Sequence, residues 1–344
     1  MRKEGRMHDL AVVSTIDSIR PIEGRDRIEM AKVENYNSVV AKGAFNVGDL
    51  VVYVFYDSIL PADNPDFEFL RARCYSPKLD GFRIRPMKLG GEISEGLVLP
   101  MSVLPVGKTY QKGDIVTDDL RIRLYEPPEE TTPANVIGGY PTLIPKSDED
   151  NIEKVFSNRE QWKDIEFYVT EKIEGSAGTW IYEVDSDSLR VFSHNWEVGD
   201  SGVWFDAARN VDLKGKMASY CESHNLKSLV LQGEVVGPSV QRNIYRLSKA
   251  ALFIYGMMTI EGKRFGFSDL LSACKEMQLE MVPVVASSAF MPDTLDEMLK
   301  ECEGRSVLAD VPREGVVWRS VSVLKDIHFK VKSRPYKVWF DQKK

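Results

Sequence analysis

Phe167-Tyr-Val-Thr-Glu-Lys-Ile-Glu-Gly175 reads as a strand that ends in charge. Its first half, Phe167 to Thr170, is aromatic and β-branched, which suits a pleated, half-buried surface. It delivers Lys172, with Glu174 two residues on and on the same face if the strand continues. Similar runs recur downstream at Leu229-Val-Leu-Gln232, Leu252-Phe-Ile-Tyr255, Val316-Val-Trp318 and Phe329-Lys-Val-Lys332. Helical stretches lie between them. Val203 to Asn225 carries apolar residues at helical spacing: Phe205, Ala208 and Val211, then Met217, Tyr220 and Cys221. Thr294-Leu-Asp-Glu297 is a capping box that opens a short helix stopping at Gly304. No internal repeat is visible. The mixture predicts an α+β domain built on antiparallel sheets with flanking helices.

Upstream the chain is β-rich. Leu10-Ala-Val-Val13 and Ser38-Val-Val-Ala41 are short β-branched runs, and Leu50-Val-Val-Tyr-Val-Phe-Tyr56 is apolar throughout. Asn46-Val-Gly-Asp49 and Leu89-Gly-Gly-Glu92 supply turn chemistry between runs. Short strands with glycine turns suggest a small OB-like β-barrel. Glu126-Pro-Pro-Glu-Glu-Thr-Thr-Pro133 is acidic, proline-rich and without periodicity, which reads as a linker. The expected organisation is an OB-like domain over 1–125, a linker over 126–142 and a second domain over 143–344.

Composition bounds the function. A length of 344 residues suits two domains, and a hydrophobic fraction of 43% supports real cores. No run of about 18 apolar residues is present, so no membrane span is expected. The charged start, Met1-Arg-Lys-Glu-Gly5, has no apolar stretch behind it and does not read as a secretory signal. Cys74, Cys221, Cys274 and Cys302 form no Cys-x-x-Cys pair and have no histidine at ligand spacing. Buried thiols in a cytoplasmic or other reducing compartment are expected, rather than zinc or disulfides. A net charge of −7 argues against a protein that coats nucleic acid non-specifically. Local basic clusters remain: Arg242, Arg246 and Lys249, and the stretch Lys325 to Lys344. The plain reading of each is a solvated face.

One constellation carries chemistry. A lysine that attacks phosphorus must lose its proton, and an ordinary value of about 10.4 forbids this at neutral pH. Neighbouring cations disfavour the ammonium. Lys330 and Lys332 are two apart in a strand, so both are expected to point into a pocket while Phe329 and Val331 pack behind. Glu174, Glu234 and Glu314 each end or open an apolar run. A charge so placed is costly unless it has a partner, and a metal–phosphate site would supply one. The Lys-x-x-Gly pattern alone is weak. It recurs at Lys78-Leu-Asp-Gly81, Lys88-Leu-Gly-Gly91 and Lys263-Arg-Phe-Gly266. Lys78 is the serious rival, but Pro77 before it argues against an interior strand, and it falls in the barrel domain.

The ordered set Lys172-Ile-Glu-Gly175, Ser193-His-Asn195, Gly233-Glu234, Leu252-Phe-Ile-Tyr255, Glu314-Gly-Val316 and Lys330-Val-Lys332 resembles the six motifs of the covalent nucleotidyltransferases, which include DNA ligases, RNA ligases and capping enzymes. DNA ligases and capping enzymes carry an OB domain after the last lysine motif, whereas 12 residues (344 − 332) follow Lys332 here. The barrel-like part comes first. Its Ile19-Arg-Pro-Ile-Glu-Gly-Arg-Asp-Arg-Ile-Glu29, Lys42-Gly-Ala-Phe-Asn-Val-Gly-Asp-Leu-Val-Val-Tyr53 and Asp57-Ser-Ile-Leu-Pro61 resemble the N-terminal domain of the Deinococcus-type RNA ligases, the RNA ligase 5 group. Pro145-Lys-Ser-Asp-Glu149 is similar to the same family.

The resemblance implies an ATP-dependent RNA ligase that uses Mg2+ or Mn2+. Lys172 would be the nucleophile that takes AMP, with Lys330 and Lys332 on the α-phosphate. Glu171 would receive the adenine amino group, Gly175 and Asn195 would border the nucleotide, and Phe253 or Tyr255 would stack on the base. Glu174 and Glu314 would hold the waters of the metal, and Glu234 would hold the ribose or the metal. The partner would be RNA or an RNA-containing nicked duplex with an RNA 3′-OH strand, joined by a monomer. Two departures stand out. His194 stands where the family often has arginine, and where related ligases often place an arginine and an asparagine after Pro-Lys-Thr-Asp-Glu, Asn151 and Lys154 stand nearby instead. His8, His224 and His328 read as solvated or packed. The alternatives are a GTP-dependent capping-type enzyme and a non-catalytic RNA-binding protein.

Overall fold

Leu50–Val54 is apolar at every position, and from Val51 onward the strand it forms is buried on both faces, Leu50 alone being exposed. Val52 and Val54 enter one core with Ala11, Val13 and Leu99. Val51 and Tyr53 enter another with Ile16, Ala31 and Val33. Period-two alternation therefore feeds two cores from one run. The strand sits inside a five-stranded antiparallel sheet ordered Leu97–Pro100, Leu50–Val54, Ala11–Pro21, Ile28–Val33, Tyr36–Ala41. The long strand Ala11–Pro21 pairs with Leu50–Val54 over its first half and with Ile28–Val33 over its second. A bulge lies between Ile16 and Ser18, and bulges bend a strand and raise its twist. A four-stranded sheet, Arg123–Leu124, Ser58–Pro61, Gly81–Ile84, Tyr75–Ser76, covers the first core. Gly90 and Gly91, with φ of 62° and 103°, close a two-residue hairpin between Met87–Leu89 and Glu92–Ser94, a turn that needs positive φ at both positions.

The computed structural model describes residues 10–125, 135–147 and 149–342. His8, Asp148, Lys343, Lys344 and the first part of the expected linker, 126–134, lie outside them. The described residues fall into two compact units, one within Met1–Glu129 and Phe340–Lys344, the other within Glu130–Trp339. The α+β organisation holds, with the curled β sheet first and the mixed unit second. Part of the segment read as a linker is sheet: Val136–Gly139 pairs with Trp196–Val198. Its two glycines and short length hid it among turn residues. None of the described helices is long and apolar enough to cross a membrane.

The second unit is built on two sheets. One is six-stranded and antiparallel: Val136–Gly139, Trp196–Val198, Ser188–Phe192, Ser176–Glu183, Ser228–Val236, Ala251–Met258. The other runs Asp150–Asn151, His328–Lys332, Gly315–Ser320, Phe167–Lys172, Val284–Ala289, and only its first pair is parallel. Helices Val203–Asn210, Leu213–Ser223 and Phe267–Glu276 pack on the first sheet. Leu295–Glu301, opened by the expected capping box, packs on the second. The stretch expected to be helical over Val203 to Asn225 is two helices. Asp212 breaks it with a φ of 50°, a conformation that aspartate tolerates better than most residues. Trp204, rather than Phe205, is the buried residue of the first turn.

Candidate active site

Three neighbouring strands set the site by register. Lys172 lies opposite Gly315, and Gly315 opposite Lys332. One step back, Thr170, Val317 and Lys330 form a second row. The two expected lysines therefore share a face, while Phe329 and Val331 behind them are fully buried. Gly315 keeps the row open between Lys172 and Lys332. A Cβ there would stand 2.1 Å from the Val331 carbonyl, and its φ is +156°. The basic C-terminal stretch is thus not one solvated face: Lys330 and Lys332 belong to this row, whereas Lys325 is exposed in a turn.

Beside this row lies a cleft of about 180 Å3, open to solvent. Thr170, Lys172, Val317 and Lys330 line it from one sheet, Ala177, Glu234 and Tyr255 from the other. It wraps past the end of the Lys172 strand, so that Glu171, Ile173 and Val282 line it as well. Lys172 Nζ pairs with Glu314 Oε1 at 2.7 Å. Burial alone favours the neutral amine and is the largest single influence on Lys172. Glu314, Glu234 and Glu149 together outweigh it and hold the ammonium above its ordinary range. The depression expected from neighbouring cations falls on Lys332 instead. Burial, with the Lys172 charge next, brings Lys332 down to about 8. The correction has a plain cause: a carboxylate in contact outweighs a cation across a strand.

The acids differ in their surroundings. Glu171 is buried; its Oε2 accepts the Val307 N–H at 3.0 Å, and its Oε1 has no hydrogen-bond partner. Glu174 is 8% exposed, and neither of its oxygens has a partner of normal geometry. The Tyr245 hydroxyl accepts its backbone N–H at 2.8 Å. Burial raises the Glu174 carboxyl to about 7, although the Arg242 backbone favours the anion. Gly175 has no room for a side chain: a Cβ would meet the Val235 carbonyl at 2.5 Å and Glu234 Cγ at 2.7 Å. It lets the loop after Lys172 close onto the Glu234 strand.

The other expected residues are divided between the cleft wall and its surroundings. Asn195 is exposed, and its Oδ1 accepts from Lys146 Nζ at 2.6 Å. His194 lines the cleft. Phe253 packs with Ile173, Tyr245 and Val282, whereas Tyr255 forms cleft wall and bonds Ser147 Oγ at 2.7 Å. His224 bonds Glu276 and stacks on Tyr220. Lys78 is exposed in a turn of the first unit. The four cysteines are buried and unpaired. Sequence reasoning missed Glu149 and Arg319, a 2.7 Å ion pair on the cleft wall. Arg319 also sits over the Tyr255 ring at 5.2 Å. The signal for Arg319 was its place two residues after Val317, on the same strand face. Tyr245 lies in a stretch without periodicity and left no signal.

A family model described as RNA ligase matches residues 165–338, just over half of the chain. The chain belongs to the RNA ligase family. A model for an OB-fold domain matches residues 10–101 of the ligase. A search of curated protein sequences found no match. Solved structures extend the likeness to both units. The ligase is 29% identical to a Naegleria gruberi RNA ligase with PPi, at a TM-score of 0.78, over 96% of this chain and 98% of that one. A lysine-to-alanine mutant of the Naegleria enzyme with ATP and Mn gives 28%, a TM-score of 0.80, and 95% and 98% coverage. A glutamate-to-alanine mutant with AMP and Mn gives 28%, 0.79, and 96% and 98%.

Glu174 offers a test that needs no substrate. Its folded value of about 7 lies above an unfolded value of 4.5. Between these limits the folded ligase holds a proton that the unfolded chain releases, so stability falls as pH rises through the window. Above pH 7 the loss is complete, about 3 kcal/mol at most. Glu174→Gln removes it. With a chelator present, the variant should melt several degrees above wild type at pH 8, and the gap should close near pH 4.5. An equal gap at both pH values would exonerate the carboxyl.

Proposed function

We propose that the ligase uses ATP to form a lysyl-AMP on Lys172 and then joins a 3′-hydroxyl to a 5′-phosphate in RNA. The observation that carries this is the Lys172–Glu314 pair at 2.7 Å, on the row shared with Lys332 and beside a cleft that holds Glu234 and Lys330. In the first step Lys172 Nζ attacks the α-phosphorus. An N–P bond forms, the bond to pyrophosphate breaks and the amine gives up its proton. In the second step a 5′-phosphate oxygen displaces the lysine, which regains a proton. In the third a 3′-hydroxyl attacks that 5′-phosphorus and AMP leaves. Lys330 and Lys332 favour charge on the transferring phosphoryl group, and positioning supplies most of the rest.

The donor set suits a divalent cation. Glu174 brings two buried oxygens that no group bonds with normal geometry, and Glu234 and Glu314 stand near. Among the described residues no cluster of three ligating side chains is ready-made, which fits an ion held through water and phosphate oxygens. Bound there, Mg2+ or Mn2+ would neutralise phosphate charge. The partnerless Glu171 Oε1 suits an amino donor, which adenine has and guanine lacks at the corresponding position. Asn195 and Gly175 would border the nucleotide, and Tyr255 or Phe253 would flank the base.

The OB-like unit ahead of the catalytic unit, together with the N-terminal motifs, supports placement in the Deinococcus-type group. It also supports an OB-like domain over 1–125 and an adenylyltransferase domain over 143–344. The substrate so implied is a nicked duplex with an RNA 3′-OH strand, read by A-form shape and 2′-hydroxyls. Incubation with labelled ATP and labelled GTP in the presence of magnesium tests the reading. ATP should label the protein and GTP should not, with the adduct on the Lys172 peptide. Preferential labelling by GTP would make the enzyme a capping-type transferase.

A further inference from the structure

The connection from Gly237 to Ala250 joins two strands that stay paired to their ends, Val236 opposite Ala251. Its ends therefore meet, as in an Ω-loop. Gly237 permits this neck: its φ is +137°, and a Cβ would stand 2.8 Å from the Lys249 carbonyl. Val240 and Tyr245 are buried and pin the loop at two points. The N–H groups of Val240, Asn243 and Arg246 donate to the carbonyls of Gly237, Val240 and Asn243 in turn. The Asn243 side chain exchanges two 3.0 Å bonds with the Leu247 backbone. Ser239, Gln241, Asn243 and Arg246 all have positive φ, which only a well-braced loop sustains, and such conformations gather at functional sites.

The two sides of this loop differ. Its inner side reaches the reaction centre, because Tyr245 Oη accepts the Glu174 N–H at 2.8 Å. Arg242, Arg246 and Lys249 are exposed on the loop, Arg242 with its backbone beside Glu174. No Asp or Glu occurs between Gly237 and Ala250, in a chain whose net charge is −7. A basic strip on an acidic protein is the footprint expected of polyanion contact. Because the loop is already ordered, docking a ligand on it loses little backbone entropy.

We propose that the Gly237–Ala250 loop docks the phosphodiester backbone of the RNA being joined, with Arg242, Arg246 and Lys249 as its phosphate contacts. The proposal rests on the RNA ligase reading and adds a strand-binding surface directly against the Lys172–Gly175 loop. Each contact releases condensed counterions, so it is visible in the salt dependence of binding.

The test compares the full-length ligase with Arg246→Ala/Lys249→Ala on a nicked RNA duplex carrying a 5′-phosphate, without ATP. Fluorescence anisotropy reads Kd over a salt series, and thermal melting checks the fold. The double variant should bind about tenfold more weakly near 0.1 M salt. The slope of log K against log salt should become shallower by about one to two. Arg246→Lys/Lys249→Arg should restore the slope. Unchanged affinity overturns the proposal, and so does weaker binding with an unchanged slope, since that marks a structural rather than a phosphate role. A wild-type protein that binds the duplex but never becomes adenylated would strike the ligase reading instead, a result the binding arm does not depend on.

Discussion

Lys172→Ala is expected to abolish the protein–AMP adduct and to lower sealing of a 5′-phosphorylated nick by at least about a thousandfold. No other amine can take its place by geometry, though one could by charge. Lys332, at about 8, is closer to neutral at physiological pH than Lys172. On acidity alone Lys332 is the better nucleophile of the nucleotide-free enzyme. Register argues otherwise. Lys172 ends its strand at the cleft and lines it, whereas Lys332 lies two strands over, with Gly315 between, and does not. The pairing that keeps Lys172 charged also brings it to Glu314. Intact mass measured after incubation with ATP and magnesium decides the matter. The wild type should gain one adenylate on the Lys172 peptide, and the variant none. An adduct on Lys332 would overturn the assignment. A strand that already carries AMP on its 5′-phosphate bypasses the lysine, so Lys172→Ala should still join it. Failure there would mean that the substitution damaged the site more broadly.

Much of this site could be read in the sequence because strand alternation is a local rule. Phe329-Lys-Val-Lys332 announces its buried and open faces residue by residue, and the structure has Phe329 and Val331 fully buried. Pro77 likewise argued against an interior strand at Lys78, which lies in a turn. What escaped reading depends on long-range register or on irregular backbone. Glu149 meets Arg319 across 170 positions of chain. Tyr245 reaches Glu174 from a loop shaped by left-handed turns that leave no periodic trace. Electrostatics was the least legible part. The cations around Lys172 were visible in sequence, but the sign of its shift depended on which charge came nearest. That is a distance of 2.7 Å to Glu314, which spacing along the chain does not give.

Glu314→Gln sets two physical effects against each other, and its outcome says which one the carboxylate serves. The substitution keeps shape and a hydrogen-bonding oxygen but removes the charge. Lys172 then loses its nearest anion, and burial, the largest influence on it, is opposed only by Glu234 and Glu149. Its acidity should rise, and a larger fraction of amine would be neutral at pH 7. If Glu314 served only to store the proton on Lys172, adenylylation at neutral pH would speed up. If Glu314 helps to hold the divalent ion, the same substitution removes charge stabilisation from the phosphoryl transfer, which is worth roughly a hundredfold to a thousandfold. The second effect should win, because Glu234 and Glu149 still oppose burial and keep most of the amine protonated, while the loss acts on the transition state itself. The expected result is slower lysyl-AMP formation at every pH, a higher magnesium requirement, and a pH–rate profile shifted toward acid. Single-turnover labelling across pH and magnesium concentration reads all three. A variant that labels faster than wild type at pH 7, with unchanged magnesium dependence, would remove Glu314 from the metal site and leave it only as the counter-ion of Lys172.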